Sequence, residues 1–542
     1  MRTLNARPLL LIGLCLAWTA GPVAAQIPDG HVGVILSNLP QSDAEKARRI
    51  QKKLDEHAAQ SIRKLPLTKS EVWAIPEGKL EAAKQFLAKQ GVTAAGVVGG
   101  KDGHELFRAQ KDMKLNDKQR EIVEMAKRSQ ATMGVKLVAG PTPAEIEYAM
   151  TVGDASTSDA AAKLKVMLSD QTTLTIDRTG VEVRPDRCVW RGKVETTGAM
   201  VTLMLWPDGR LNGSVQNKGR IHSIHHLGGR LYSVVEMSEE RMPNEHAPMP
   251  SYVREKDPNL RDDALVKEGD GGALKHLRNT IASLDPKLRA KTADPASKPA
   301  LAKADPSSPG AATPARPSLA LSQDVVIDVI VAYTKKAASH YMDVKRELVE
   351  MSIEEGNNAF RNSKIDNVKL RLLYAYQTNY VEKGTHFDHV WRFADKGDGY
   401  MDEIHKLRDK YRADVAVLIV DDPNGCGLST RVHADANEAF AVVHHECSVH
   451  TYSMAHEIGH LIGARHDRGM DTNSEPFPYG HGFVNGTSWR DIMSYKESCG
   501  GCPRLPIWSS PKVVVDGTVA GAPDTDNARV IIEQAARVAG FR

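Results

Sequence analysis

A run of twelve residues near the C-terminus, His456-Glu-Ile-Gly-His-Leu-Ile-Gly-Ala-Arg-His-Asp467, constrains the fold of this chain more than any other feature. On a helix, His456 and His460 lie one turn apart and point to the same place. Gly463 can adopt a backbone conformation closed to other residues, so the chain can turn sharply and bring His466 back to that place. Three neutral imidazoles with an open fourth position are the ligand set of a catalytic zinc ion. The run therefore predicts one zinc ion.

Glu457 follows the first histidine, where its carboxylate can reach a water molecule at the metal without coordinating the metal. The alternative is a set of histidines on the solvated face of an ordinary helix. That alternative requires the glycine and the third histidine to stand at their offsets by accident. We therefore interpret Glu457 as the proton acceptor of a hydrolytic site.

The pattern H-E-x-x-H-x-x-G-x-x-H resembles that of the metzincin zinc endopeptidases. That clan has a methionine-containing turn beneath the metal, and Met493 in Arg490-Asp-Ile-Met-Ser-Tyr495 matches it. A methionine among apolar neighbours is otherwise ordinary core packing. Tyr495 matches a tyrosine that approaches the zinc in some members, so it is a possible oxyanion donor, a fifth ligand or a packed side chain. The resemblance implies hydrolysis of protein or peptide substrates, with Glu457 transferring the proton.

A narrower resemblance covers residues 323–542. Asp467 directly after the third histidine is similar to the adamalysins (reprolysins), and the surrounding blocks look most like bacterial secreted members, including the peptidyl-Asp metalloendopeptidase group. If this extends to specificity, cleavage falls on the N-terminal side of Asp, and a cationic side chain lines the primed-side pocket. Arg490 and Arg504 are in the right part of the chain, although any solvent-facing arginine would look the same. Self-cleavage points would then be Asp294, Asp305 and Asp324.

The chain divides into several segments, because its length exceeds that of one ordinary core. Basic residues, a short apolar run and a Val-x-Ala ending predict a signal peptide with cleavage after Ala25, and thus a secreted or periplasmic protein. Seven prolines between 286 and 317 predict an extended linker. The predicted segments are a signal peptide (1–25), an α+β and helical module (26–165), a β-rich module (166–285), the linker (286–322) and the catalytic domain (323–542).

The predicted fold class is α+β and multidomain. The metzincin resemblance implies a mixed twisted sheet and a zinc helix in the C-terminal domain. Phe440–Val443 is predicted to be an edge strand that binds the substrate backbone as an added strand. His444 and His445 beside it are predicted to be surface residues, with substrate contact as the alternative.

Five cysteines remain after removal of a signal peptide, and an exported protein meets an oxidising environment. Four of them allow three connectivities, of which we favour the local pairs Cys426–Cys447 and Cys499–Cys502. Cys499-Gly-Gly-Cys502 could instead be a redox or zinc-binding pair. Cys188 is left over.

Residues 26 to about 320 are predicted to be a pro-region that assists folding and inhibits the site within the same molecule. Residues 187–236 weakly resemble adamalysin pro-domains, in which a cysteine at the Cys188 position has a partner near the place where this chain has Trp206. No cysteine lies between 189 and 425, so the usual thiolate cap is absent. Cys188 could serve as the latency ligand instead. Otherwise inhibition is steric or comes from another donor, such as His246.

The formal charge of +3, from 71 basic and 68 acidic residues, gives no electrostatic sign of nucleic-acid binding. No segment has the length of apolar sequence that a membrane span needs. The rival interpretation is an exported zinc-binding domain that holds a partner protein without hydrolysing it. The presence of Glu457 together with the three histidines favours the enzyme.

Overall fold

The structure is a computed structural model that describes residues 27–97, 103–109, 113–152, 163–217, 219–245 and 324–542. The predicted signal peptide and linker lie outside the described residues, as do His246, Asp294 and Asp305. Within the described ranges, no helix combines the length and apolar character needed to cross a membrane.

The first described range forms a small α+β unit in which two helices cover an antiparallel sheet. Its elements are β1 (His31–Ser37), α1 (Ala44–Glu56), β2 (Gln60–Leu65), β3 (Ser70–Pro76), α2 (Leu80–Lys89) and β4 (Thr93–Gly96). The strand order is β2-β3-β1-β4. The apolar residues of β1 and β3 pack against Ile50, Leu54 and Leu87 of the helices. This agrees with the α+β module predicted for this part of the chain.

A large sheet of nine strands follows. Its elements are β5 (His104–Glu105), α3 (Asp117–Arg128), β6 (Thr132–Ala139), α4 (Pro143–Thr151), β7 (Lys163–Ser169), β8 (Thr172–Val183), β9 (Cys188–Val194), β10 (Met200–Leu205), β11 (Leu211–Asn217), β12 (Arg220–Gly228) and β13 (Leu231–Ser238). The strand order is β5-β7-β8-β9-β10-β11-β12-β13-β6, and only β5 and β7 pair in parallel. Strands from both sides of residue 165 therefore belong to one sheet, so the sheet crosses the boundary placed there from the sequence.

The C-terminal range is a mixed sheet flanked by helices. Its main elements are β14 (Val325–Tyr333), α5 (Lys335–Ala338), α6 (Met351–Asn362, preceded by a π-helical turn at Lys345–Glu350), β15 (Val368–Gln377), α7 (His386–Ala394), α8 (Glu403–Tyr411), β16 (Val415–Val420), β17 (Gly427–Ser429), β18 (Phe440–His444), α9 (His445–His450) and α10 (Ser453–Ile462). Two short hairpins, β19 (Val484–Asn485) with β20 (Trp489–Arg490) and β21 (Val514–Val515) with β22 (Thr518–Val519), precede α11 (Asn527–Val538).

The strand order of this sheet is β15-β14-β16-β18-β17, and only β17 runs antiparallel to its neighbour. The prediction that Phe440–Val443 forms the edge strand is wrong, because β18 lies between β16 and β17. Every residue of β18 is buried, as suits an interior strand. The edge strand is β17, which is too short to show a pattern in the sequence.

The nine-stranded sheet packs on the catalytic domain through β9, β10 and α6, which we call the sheet–helix interface. Val189, Met204 and Trp206 belong to the same apolar core as the catalytic sheet. Arginines of the N-terminal half bind carboxylates on the π-helical turn and α6: Arg187 to Glu350 at 2.6 Å, Arg191 to Glu354 at 2.5 Å, Arg210 to Glu347 at 3.0 Å and Arg184 to Glu354 at 3.4 Å.

Candidate metal centre

The helix that carries the first two histidines, α10, is short, and all of its residues are buried. Gly463 caps it with a φ of +136°, a conformation that residues with side chains avoid. A Cβ atom at this position would also lie 2.8 Å from the ring of Phe477. The chain therefore turns sharply after Ile462, which brings His466 back beside the helix.

The three imidazoles meet at one point. The Nε2 atom of His460 lies 3.1 Å from that of His456 and 2.9 Å from that of His466, and the remaining pair is 3.1 Å apart. The Nδ1 atom of His456 lies 2.8 Å from the carbonyl oxygen of Ile492, and that of His460 lies 2.9 Å from the carbonyl oxygen of Ala464. Because a carbonyl only accepts, these two Nδ1 atoms carry the protons, and the corresponding Nε2 atoms direct lone pairs inwards.

This arrangement fits a bound cation. Lone pairs that face one another at these distances repel, and a metal ion between them removes the repulsion. Zinc–nitrogen bonds of about 2.0–2.1 Å place the ligands of one ion within about 3.5 Å of each other, which agrees with the observed spacing. In the part of the chain that the structure describes, two groups of side chains have ligand atoms close enough for one ion, and this group is the fully buried one.

Glu457 follows the first histidine on α10, and its carboxylate lies beneath the edge strand. It is completely buried, and burial raises its pKa to about 8. A Cβ atom on Gly427 would lie 2.4 Å from Oε1 of Glu457. The glycine in β17 is therefore required by the close approach of the carboxylate. A cation at the imidazoles would lower the pKa of Glu457 again.

Met493 and Tyr495 form the floor of the site. Met493 is completely buried, and a Cβ atom on Gly459 of α10 would lie 3.3 Å from its sulfur and 2.5 Å from the ring of Trp508. The methionine and the tryptophan thus pack tightly under the helix. The ring of Tyr495 packs on that of His466, with centroids 4.4 Å apart.

Two buried carboxylates hold this floor in place. Asp467 accepts a hydrogen bond from the backbone N–H of Tyr495 at 3.0 Å, which ties the residue after the third histidine to the turn. Asp491 accepts hydrogen bonds from the backbone N–H of Met493 at 3.2 Å and the hydroxyl of Ser494 at 2.5 Å. Burial raises the pKa of Asp491 to about 6. Asp491 was not among the residues predicted for the site, although its place two residues before Met493 is typical of a side chain that bonds to a turn backbone.

Arg490 and Arg504 are buried together around a carboxylate of the N-terminal half. The Nη2 atoms of Arg490 and Arg504 lie 2.5 Å and 2.7 Å from Oε1 of Glu245. Arg490 also binds Glu239 at 2.5 Å. Burial alone would lower the pKa of Arg490, but Glu239 and Glu245 hold it above its ordinary value. Both arginines also donate to the carbonyl oxygen of Ser494, at 3.0 Å each.

The two predicted disulfides are present. Cys426 is bonded to Cys447, and Cys499 is bonded to Cys502. The first joins the residue before β17 to α9, close to the start of α10. The second follows the methionine turn. The zinc-binding alternative for Cys499 and Cys502 is therefore not the arrangement observed.

Cys188 is the free cysteine among the described residues, and the structure contradicts its assignment as latency ligand. It is completely buried in the core of the nine-stranded sheet, where it lies opposite Leu205 on β10. Burial raises the pKa of its thiol to about 12. A thiolate ligand needs the opposite shift and access to the metal.

The prediction that His444 and His445 are surface residues is also wrong. Both are buried, and their Nε2 atoms lie 3.6 Å and 3.3 Å from the carboxylate of Asp421. Burial lowers the pKa of His445 to about 4. His340 completes a second group with ligand-like spacing, but the ammonium of Lys336 lies 3.4 Å from Asp421 and already balances its charge.

Comparison with known proteins agrees with a metal-dependent peptidase. Residues 323–509 match the Reprolysin_5 model, described as metallo-peptidase family M12. A protein of Xanthomonas campestris named peptidyl-Asp metalloendopeptidase is 32% identical over 61% of this chain and 67% of its own length. One of the same name from Stenotrophomonas maltophilia is 30% identical over 75% of this chain and 89% of its own length. A crystal structure of metalloproteinase-II from Bacteroides fragilis aligns with 69% of this chain and 90% of its own at 12% identity, with a TM-score of 0.30.

The fold and the three-histidine site thus define a metallopeptidase. The chain belongs to metallopeptidase family M12, with the bacterial adamalysin-like enzymes. It is a zinc metalloendopeptidase, an enzyme that hydrolyses peptide bonds within proteins.

Proposed function

We propose that the protein is secreted as a zymogen and that its mature form cleaves peptide bonds on the N-terminal side of aspartate. The observation that supports the catalytic proposal is the convergence of three buried imidazoles at the helix that also carries the buried Glu457. The relatives named peptidyl-Asp metalloendopeptidase support the specificity. The pair Arg490 and Arg504, which already binds one carboxylate, also supports it.

His456, His460 and His466 would hold one zinc ion, which when bound supplies Lewis acidity towards a peptide carbonyl and a water molecule. Glu457 accepts the proton of the attacking water on its carboxylate and then delivers it to the leaving nitrogen. Its buried position raises the pKa of the carboxyl group, which makes the carboxylate a stronger base for the first transfer. Tyr495 is proposed to donate a hydrogen bond to the developing oxyanion.

The substrate is proposed to bind along β17. An edge strand offers main-chain N–H and C=O groups to an extended peptide, and β17 lies directly over Glu457. A peptide paired with this strand would run past the general base. Its side chain after the cleaved bond would point towards the methionine turn, where the two arginines are found.

The N-terminal half is proposed to be a pro-region that assists folding and inhibits the enzyme, after export directed by the signal peptide. Its extensive contacts with α6 and with the arginine pair support this role. Removal would occur at or near the linker. Asp324, whose side chain is 70% exposed, is a proposed self-cleavage point.

The test is cleavage of a mixed protein digest by the secreted protein and by its Glu457→Gln variant, read by mass spectrometry. We expect many cuts from the wild type, with Asp after each cut, and a loss of about 100- to 10,000-fold in the variant. Cuts without a preference for Asp would overturn the specificity. No cuts by a folded, zinc-loaded protein would favour a binding protein instead.

A further inference from the structure

We propose that Glu245 occupies the subsite for the acidic side chain of the substrate and blocks it from within the same chain. This rests on the proposed function, since it assigns the regulation of that site. Glu245 lies at the C-terminal end of the described part of the N-terminal half, in the segment Glu239–Glu245 that follows β13.

The contacts of Glu245 are those of a ligand in a built carboxylate site. Its Oε1 atom accepts from the guanidinium groups of Arg490 and Arg504, and its Oε2 atom accepts from the backbone N–H of Lys496 at 3.1 Å. The side chains of both arginines are 1% exposed, and that of Glu245 is 5% exposed. Glu239 of the same segment also binds Arg490, but Glu245 is the carboxylate that contacts both guanidinium groups. Two buried guanidinium groups without an anion would be costly, so the pocket needs another carboxylate once this segment leaves it.

The backbone of this segment lies where a substrate would pass. The carbonyl oxygen of Asn244 accepts a hydrogen bond from the backbone N–H of Cys426 at 2.7 Å, directly before β17. The next residue, Gly427, covers Glu457. On the opposite side, Lys496 follows Tyr495, which packs on His466. Asn244 therefore contacts the residue before the edge strand, and Glu245 contacts the residue after the methionine turn. These two residues span the space between the strand and the turn, where we propose that the substrate binds.

The identity of the side chain explains why the segment inhibits rather than reacts. A glutamate is one methylene longer than an aspartate, so a carboxylate fixed by the arginines holds the backbone about 1 Å farther from them. A misplacement of about 1 Å can cost about 100-fold in rate. The bond between residues 244 and 245 is thereby held out of position for hydrolysis.

The first experiment measures peptide cleavage by the intact full chain, with its integrity checked by mass spectrometry. The substrate is a quenched fluorescent peptide containing one Asp. Glu245→Gln keeps the size and hydrogen-bonding capacity of the side chain but removes its charge, and we expect the rate to rise about 10- to 100-fold. Glu240→Gln, at an exposed position in the same segment, is the matched control and should equal the wild type. Equal rates for all three intact chains would overturn the proposal.

A binding experiment separates this inference from catalysis. In a Glu457→Gln background, fluorescence anisotropy measures the affinity for a labelled peptide with Asp and for the same peptide with Asn. We expect Glu245→Gln to increase the affinity for the Asp peptide at least about tenfold and to leave the Asn peptide weak. No gain, in a protein whose thermal unfolding shows it to be folded, overturns the inference. Failure of the proposed activity would show instead as no cleavage by the processed wild type.

A second variant tests the length argument. Glu245→Asp should place the peptide bond between residues 244 and 245 in position for hydrolysis, so the full chain should cut itself after Asn244. Water then adds its hydroxyl to the carbonyl carbon of Asn244 and its proton to the freed nitrogen. Mass spectrometry of the fragments measures this. An intact Glu245→Asp chain, under conditions where Glu245→Gln is active on the peptide, would contradict the argument from side-chain length.

Discussion

The N-terminal half meets the catalytic domain in two places with opposite charge arrangements. At the sheet–helix interface, arginines of the N-terminal half bind carboxylates on the π-helical turn and α6 of the catalytic domain, as in the pair Arg191 and Glu354. At the arginine pair, carboxylates of the N-terminal half bind arginines of the catalytic domain, as in Glu245 with Arg490 and Arg504. The first contact also shares an apolar core, whereas the contacts of Glu245 are polar.

This difference indicates two separate tasks. The sheet–helix interface supports α6, and α6 packs against α10, where a Cβ atom on Gly356 would lie 3.4 Å from that of Ala455. The nine-stranded sheet therefore supports the helix that carries the metal ligands. Glu245, in contrast, occupies the position that we propose for the substrate side chain. Under the proposed function, the first contact assists folding and the second is replaced by the substrate.

The largest expected effect comes from breaking the sheet–helix interface. Arg191→Ala leaves the 3%-exposed side chain of Glu354 with weaker compensation, and we expect a loss of up to about 3–5 kcal/mol in the free energy of unfolding of the full chain. Chemical denaturation in a Glu457→Gln background measures it. The control is Arg184→Ala, because Arg184 is more exposed and its contact with Glu354 is longer, at 3.4 Å. Equal losses in the two variants would contradict this ranking.

A pH dependence of similar size arises at the same interface. Burial raises the pKa of Glu355 from its ordinary value of 4.5 to about 7, and the residue bonds to Asn358 and to Thr202 of the sheet. Between these two pH values the unfolded chain has an ionised Glu355 and the folded chain a neutral one. The free energy of unfolding therefore falls as pH rises, by about 1.4 kcal/mol per pH unit and by about 3 kcal/mol in total.

Urea denaturation of the full chain at pH 5, 6, 7 and 8 measures this slope. Glu355→Gln cannot ionise, so the corresponding part of the slope should disappear. A variant whose stability still follows that of the wild type across this range would show that Glu355 is not the group responsible.

The smallest of these effects concerns the arginine pair. Arg504→Lys keeps the charge but not the planar geometry of the guanidinium, so the preference for Asp over Asn after the cleaved bond should fall about tenfold or more. Mass spectrometry of digests by the processed enzyme measures it. Arg529→Lys, on the exposed face of α11, is the control and should keep the preference. An unchanged preference in Arg504→Lys would show that Arg504 does not recognise the substrate side chain.

The residues of the metal centre could be predicted from the sequence because their positions follow from local geometry. His456 and His460 are one helical turn apart, and Gly463 permits the turn that returns His466. The two disulfides also join cysteines that are near in sequence. Such short-range relations can be recognised in the sequence without knowledge of the tertiary structure.

The remaining features depend on contacts between distant residues. The edge strand β17 has three residues and no periodicity, whereas the apolar run of β18 gave the stronger but misleading signal. The contact between Glu245 and Arg490 joins residues 245 positions apart. The burial of Cys188 depends on the register of β9 with β10, which the sequence pattern does not determine.

Arg490 and Arg504 both donate hydrogen bonds to the carbonyl oxygen of Ser494, so the arginine pair has a structural role as well as a carboxylate-binding one. The same guanidinium groups that bind a carboxylate also brace the turn that carries Met493 beneath the metal ligands. Under the proposed specificity, replacing either arginine to accept a different substrate side chain would also remove a hydrogen bond to the turn beneath the metal ligands. A change of specificity at these positions is therefore expected to lower catalytic activity as well, because the same side chains support the metal site.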